Sequence, residues 1–139
     1  MTGFQSSREF REVIDRTFEL MSEDPDMGPR LRDADTPQQF EFPDLDLVVN
    51  IRAGGPGEPN LVWEWKEDVT WEPRVRMTMS SETANRYFQG KENIAIAIAR
   101  RRIKTGGDVK AALALIPVTK PLFPHYRAMV AAEYPHLTV

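Results

Sequence analysis

Apolar positions in the first segment recur every three to four residues, with Phe10, Val13, Ile14, Phe18 and Met21 on one stripe. That is the period of an amphipathic helix, with Ser6 or Ser7 placed to cap it. Arg8–Glu12, Arg11–Asp15 and Glu12–Arg16 set opposite charges four apart on its outward face, each worth a few tenths of a kcal/mol. The run SEDPDMGPR breaks this helix, and a helical turn carrying Met27 and Leu31 follows before Thr36-Pro37. From Gln39 the period falls to two. Phe40 and Phe42 alternate with polar residues, and Leu45, Leu47, Val49, Ile51 and Ala53 then share one face of a strand opposite Asn50 and Arg52. The loop AGGPGEPN turns the chain, so LVWEWK returns antiparallel, with Leu61, Trp63 and Trp65 on one face. VRMTM repeats the alternation through Val75, Met77 and Met79. Three such strands without long crossovers predict an antiparallel meander.

The second half has another texture. Ser81 predicts the cap of a short helix ETANRYFQ, and Gly90 its left-handed stop. ENIAIAIARRR reads both ways: its isoleucines alternate as in a strand, while the interleaved alanines favour a helix. RRIKT is a strand candidate, Asp108 caps a helix DVKAALALI, and Pro121 and Pro124 introduce a last helix carrying Leu122, Phe123, Tyr126, Met129, Val130 and Tyr134.

The chain's 139 residues suit one domain, residues 1–139, able to bury roughly two thirds of its unfolded surface. It holds no cysteine, which removes disulfides and thiolate metal sites and suits a reducing compartment. The charged N-terminus lacks the apolar core of a secretory signal, and no apolar run approaches a membrane span, so a cytoplasmic location is expected. The net charge of −3 divides unevenly: residues 1–70 hold 16 acids and 7 bases, net −9, and residues 71–139 hold 5 acids and 11 bases, net +6. The acidic total argues against a nucleic-acid partner. The basic half, with Lys91, Arg100, Arg101, Arg102 and Lys104, suits transient contact with an anionic membrane or a protein partner, although such runs are more often solvated faces.

Catalytic constellations are thin. His125 and His136 lie eleven apart without ligand spacing, and the carboxylate pairs Asp24/Asp26, Asp33/Asp35 and Asp44/Asp46 lack a calcium-loop pattern. No nucleophile elbow or phosphate loop is present, so neither metal nor cofactor is expected and an enzyme has no residues to stand on. Three Trp, seven Phe and six Met supply large, adaptable apolar groups of the kind that line pockets for irregular ligands, or simply a dense core.

Residues 77–116 carry an ordered set of motifs: Met77-Thr78-Met79, a capped helix at Ser81, Gly90-Lys91, a helix start at Asn93, Ile103-Lys104, and Gly107-Asp108 leading into a helix with Lys110. This set resembles the sterol carrier protein type 2 family over roughly residues 37–120, and the rest of the chain fits in outline. The resemblance implies an α/β (α+β) fold: a mainly antiparallel five-stranded sheet covered on one side by helices, with an apolar tunnel between the layers for fatty acid, acyl-CoA or sterol-like lipids. It also makes residues 94–99 a buried helix. Arg101 departs from the family's glycine; a left-handed stop there would cost an arginine about 1 kcal/mol, so the helix is expected to end differently or run further.

Non-catalytic binding of a hydrophobic ligand is therefore the expected function, with Trp63, Trp65, Met77, Met79, Phe88, Ile94, Ile98, Leu113, Ile116, Phe123 and Met129 as the expected apolar lining. Residues 121–139, bounded by prolines, are expected to form a lid whose removal leaves the sheet folded. Two alternatives stand beside this. One is an accessory or dimerisation module of a larger lipid- or steroid-metabolising assembly, with its tunnel closed. The other is a small α+β cone-type isomerase or dehydratase, which needs an Asp/His or Tyr/Asp pair that the sequence does not place.

Overall fold

Helix α1 (Ser7–Glu23) begins where the Ser6 hydroxyl accepts the Glu9 N–H at 3.1 Å. The computed structural model describes residues 3–139 of the chain. The apolar stripe of α1 is buried along its length, from Phe10 to Met21. Two of the charge pairs expected on its outer face are spent elsewhere. Arg8–Glu12 forms at 3.5 Å, but Arg16 reaches Glu133 at 2.6 Å, and Arg11 lies over the Trp65 ring at 5.5 Å. Helix α2 (Met27–Ala34) follows, longer than a single turn, and buries Met27 and Leu31.

The sheet holds β1 (Gln38–Phe42), β2 (Leu47–Ala53), β3 (Leu61–Glu64), β4 (Val75–Thr78) and β5 (Lys104–Gly107), in the order β3-β2-β1-β4-β5. Three of its pairings are antiparallel and one, β1 with β4, is parallel, so the sheet is mixed. The expected meander is corrected here. β4 does not pair with β3 but crosses to the far side of β1, with Gln38 opposite Val75. The connection runs over the outer face of the sheet, where Asn50 is fully buried and its amide donates to the Lys66 carbonyl at 2.7 Å. Gln39 donates to the Glu67 carbonyl, and the Arg52 guanidinium lies 5.1 Å from the Trp71 ring centroid. Polar side chains on alternate strand positions thus hold the crossover loop, a role that periodicity alone reads as solvent exposure.

Helix α3 (Ser81–Phe88) is capped by Ser80, one residue before the expected cap. Ser81 instead ties the helix start to the β1–β2 turn, donating from its hydroxyl to Asp44 at 2.6 Å. Gly90 adopts φ 77° beyond the helix end, as its position predicts; its N–H donates to the Tyr87 carbonyl and the following Lys91 N–H to that of Arg86. The ambiguous segment is helix α4 (Ile94–Ala99), capped by Asn93. It is buried on one face only: Ile94 and Ala97 are inside, while Ile96 is 47% exposed. Arg101 corrects the expected helix end, since it takes the left-handed conformation at φ 61° that a glycine usually occupies. The strain is offset because this ending satisfies the Ile98 and Ala97 carbonyls and inserts Ile103, 1% exposed, into the core.

Gly107, at φ 79°, closes β5 where a side chain would strike the Arg74 carbonyl. Asp108 then caps α5 (Val109–Ala114), accepting the Ala111 N–H at 3.0 Å. A break at Leu115 separates α5 from α6 (Ile116–Thr119), so the single helix expected here is two. Helix α7 (Leu122–Glu133) and a 3-10 turn (Pro135–Leu137) complete the chain.

Two apolar clusters result. The larger lies between the sheet and the helices. The smaller joins Val13 of α1 to Tyr126, Met129, Val130 and Leu137. The Tyr126 hydroxyl donates to Asn85 Oδ1 at 2.7 Å, and the Asn85 and Gln89 amides both donate to the Leu137 carbonyl. Burial pushes the Tyr126 phenol well above its ordinary 10. Unfolded chains lose that proton near pH 10 while the folded chain keeps it, so its contribution is complete below pH 10 and lost above. Urea unfolding between pH 9 and 11.5 should show stability falling by up to about 1.4 kcal/mol per pH unit for this group. A Tyr126→Phe chain should show a shallower decline, and an equal one would contradict the assignment.

Candidate functional site

A cavity of about 120 Å³ lies between the sheet and the helices. Its floor is the helix-facing side of the sheet: Gln38, Phe40 and Phe42 of β1, Ile51 and Ala53 of β2, Leu61 of β3 and Met77 of β4. Ile14, Phe18 and Met21 of α1 and Leu31 of α2 form one wall. Ala84, Tyr87 and Phe88 of α3 with Ile94 of α4 form another, and Ala112, Leu115, Ile116 and Thr119 close the space beside α2. Two alanines, Ala84 and Ala112, are part of the reason space remains, because a larger side chain at either would occupy it.

Polar groups in the wall are few and mostly committed. The Tyr87 and Thr119 hydroxyls are paired at 3.1 Å, and Thr119 also donates to the Ile116 carbonyl. Burial raises the Tyr87 phenol, with the Thr119 hydrogen bond opposing. Thr36 donates to the Ala34 carbonyl. Arg52 belongs to the cavity lining, yet its position between Ile51 and Ala53 turns its side chain to the outer face. There it holds Glu58 through two bonds of 2.9 and 3.0 Å, and the guanidinium pulls the exposed Glu58 carboxyl down to about 2. No aspartate, glutamate or histidine lines the cavity among the described residues, and none of them forms a three-residue cluster able to hold a metal ion. The Asp/His or Tyr/Asp pair required of an isomerase is therefore not in this cavity.

Of the residues expected to line a tunnel, Met77, Met79, Phe88, Ile94 and Ile116 come together on the wall. The others lie off it, each for a local reason. Trp63 and Trp65 lie against α1, where both indole N–H groups donate to Asp15 Oδ1, at 2.9 and 2.6 Å. Trp63 packs edge-on against Phe18, so it stands one residue behind the wall. Ile98, half-buried one turn along α4 from Ile94, and Leu113, half-buried on α5, pack against the larger apolar cluster without reaching the cavity wall. Phe123 packs edge-on against Tyr87 from outside the cavity. Met129 belongs to the second cluster, with Tyr126 and Val130. The residues that reasoning from sequence overlooked as lining include Ile14, Phe18, Phe40, Leu61 and Tyr87. Their apolar periodicity was visible, but it marks a buried face without showing which part of that face borders empty space.

Arg100, Arg101, Arg102 and Lys104 are all exposed, beside the exposed Ile96. Arg102 also grips Glu92 at 2.7 Å, and the same carboxylate faces Arg86 at 3.6 Å. Among the described residues no helix is long and apolar enough to cross a membrane.

No protein-family model matches the chain, and no curated protein sequence matches it significantly. Similarity to solved structures is clear. The sterol carrier protein domain 2 of Helicoverpa armigera superposes with a TM-score of 0.57 at 17% identity, covering 88% of this chain and 96% of that one. The ubiquinone synthesis protein UbiJ-SCP2 gives 0.61 at 6% identity, covering 81% and 94%. The inverting sec-alkylsulfatase Pisa1 from Pseudomonas sp. gives 0.62 at 18% identity, covering 76% of this chain, which matches only 16% of the enzyme's length. The chain has the sterol carrier protein type 2 fold.

Proposed function

We propose that the chain is a non-catalytic binding module for a hydrophobic small molecule, held between the sheet and the helices and working in the cytoplasm. The observation that carries this reading is the apolar cavity itself, lined by residues of the sheet and of the helices packed on it. Neighbours whose names include a sterol carrier protein support it at the level of fold. At about 120 Å³ the space is smaller than the roughly 300–1,000 Å³ of pockets that hold drug-sized ligands. A ligand must therefore widen it, and Met21, Met77 and Met79 supply side chains that re-pack at low cost. The fatty acyl and sterol-like classes named by the sequence resemblance are the candidate ligands. The basic surface at Arg100, Arg101, Arg102 and Lys104 serves contact with an anionic membrane or partner.

The test is direct. Organic extraction of the purified chain followed by mass spectrometry should find lipid, and an apolar fluorescent probe should bind the stripped protein. Ala112→Leu should weaken probe binding by about tenfold or more while leaving the melting temperature unchanged or raised. A dry void of this size costs about 3 kcal/mol at roughly 24 cal/mol per Å³, and the larger side chain recovers part of it. Probe binding at full strength in Ala112→Leu would place the ligand elsewhere.

A second reading has its own support. The small volume and the match to a sixth of a much larger sulfatase favour an accessory module with a closed interior. That reading predicts a stripped protein whose melting temperature does not shift with fatty acids, acyl-CoA or sterols. It also predicts an obligate oligomer on gel filtration.

A further inference from the structure

The polar inventory of the cavity identifies the kind of ligand it accepts. Five wall residues carry polar side-chain atoms: Thr36, Gln38, Arg52, Tyr87 and Thr119. The single cation among them faces the other side of the sheet, where Glu58 and the Ala53 carbonyl take its donors and Trp71 covers its plane. The hydroxyls of Thr36, Thr119 and Tyr87 are engaged with one another or with main-chain carbonyls. Gln38 differs. It sits on the helix-facing side of β1, in register with Ile51, and its half-buried side-chain amide, which still reaches solvent, has no hydrogen-bond partner among the described residues. A primary amide offers two donors and one acceptor, all neutral.

Resting on the reading of the cavity as a ligand site, we propose that it selects an uncharged amphiphile: an apolar body whose hydroxyl or carbonyl group pairs with the Gln38 amide. A carboxylate or phosphate entering the same space meets no counter-charge, and an ion taken out of water without a partner is strongly disfavoured. A hydroxyl or ketone loses little, because the amide replaces its bond to water. The selection is therefore against charge at the polar end, with chain length and shape left to the apolar wall.

The test is displacement of a bound apolar probe by dodecan-1-ol and by laurate, which share a twelve-carbon chain and differ at the polar end. At pH 8 the alcohol should displace the probe at a concentration about tenfold lower than the acid, the ratio that corresponds to 1.4 kcal/mol. Lowering the pH toward 5 should narrow the gap as the acid begins to take up its proton. Gln38→Leu should weaken the alcohol severalfold and leave dodecane unaffected. Laurate binding as well as dodecanol at pH 8 overturns the selection while leaving the cavity as the ligand site. Failure of all three compounds to displace the probe overturns both readings. The pH comparison uses the unmodified chain, so it decides the question even if Gln38→Leu does not fold.

Discussion

A chain cut after Lys120 is expected not to fold. The segment it removes was expected to be a loosely held lid, and the structure gives it the opposite character. Leu122, Tyr126, Val130 and Leu137 are each 1% exposed or less, and Met129 is nearly as buried. Tyr126, Met129, Val130 and Leu137 cover Val13 of α1 and pack beside Phe88 of α3, Leu122 joins the larger cluster, and the Leu137 carbonyl receives amide hydrogens from both Asn85 and Gln89. Burying each large apolar side chain contributes about 1.5–3 kcal/mol. Five of them together match the whole stability of an ordinary domain, about 5–15 kcal/mol. Removal would also take the Leu137 carbonyl from the Asn85 and Gln89 amides and the Tyr126 hydroxyl from Asn85. Circular dichroism should show loss of cooperative unfolding in the truncated chain, and a sharp transition with native sheet content would restore the lid.

The second large effect is expected at Asp15. One carboxylate oxygen accepts the indole N–H of both Trp63 and Trp65 and so joins α1 to β3 and the residue after it. Hydrogen bonds to a charged acceptor contribute about 1.5–3 kcal/mol each, less where water competes. Asp15→Ala should therefore cost about 3 kcal/mol and lower the melting temperature by about 10 °C, with a red shift of tryptophan emission. Asp15→Asn keeps an acceptor oxygen and should cost about 1 kcal/mol. A change below about 0.5 kcal/mol in Asp15→Ala, the range of ordinary surface substitutions, would mean that the two indoles hold their places by packing alone.

The contrast between these residues and their sequence signals shows what was legible. Local rules narrowed the first cap to Ser6 or Ser7 and located the cap at Asp108, the stop at Gly90 and the alternation of β1, β2 and β4, because each depends on neighbours within a few positions; the helix start at Asn93 came only from the family resemblance. They left residues 94–99 open, where a six-residue helix buries only Ile94 and Ala97 and the isoleucine alternation mimics a strand. They misplaced β4, because an alternating strand fits any sheet neighbour, and what moved it beside β1 was a loop anchored by Asn50 and Gln39. The candidate site was half visible for a similar reason. Met77 and Phe88 could be placed on inward faces, but Trp63 shares its strand face with Leu61 and only Leu61 reaches the cavity. Which residue borders the space depends on where α1 lies across the sheet, and that placement rests partly on Asp15, read from sequence as a partner for Arg11.

The parallel pairing of β1 with β4 has a consequence for how the chain reaches its structure. Residues 1–70 supply α1, α2 and β1 through β3, and residues 71–139 supply β4, β5 and the remaining helices. The boundary between net −9 and net +6 thus coincides with the seam along which Gln38 meets Val75. Within each half the strand ladders are closed by shorter connections, whereas the seam joins residues that are far apart in the chain. Its loop-closure entropy must be met before any contact across it rewards the chain. Opposite net charges act before contact, over a range of about 10 Å at 0.1 M salt, and draw the halves together while the apolar faces are still apart. In kinetic terms the charge asymmetry is a steering field internal to one molecule. Stopped-flow refolding is therefore expected to slow as salt is added, with little change in the stability of the folded chain.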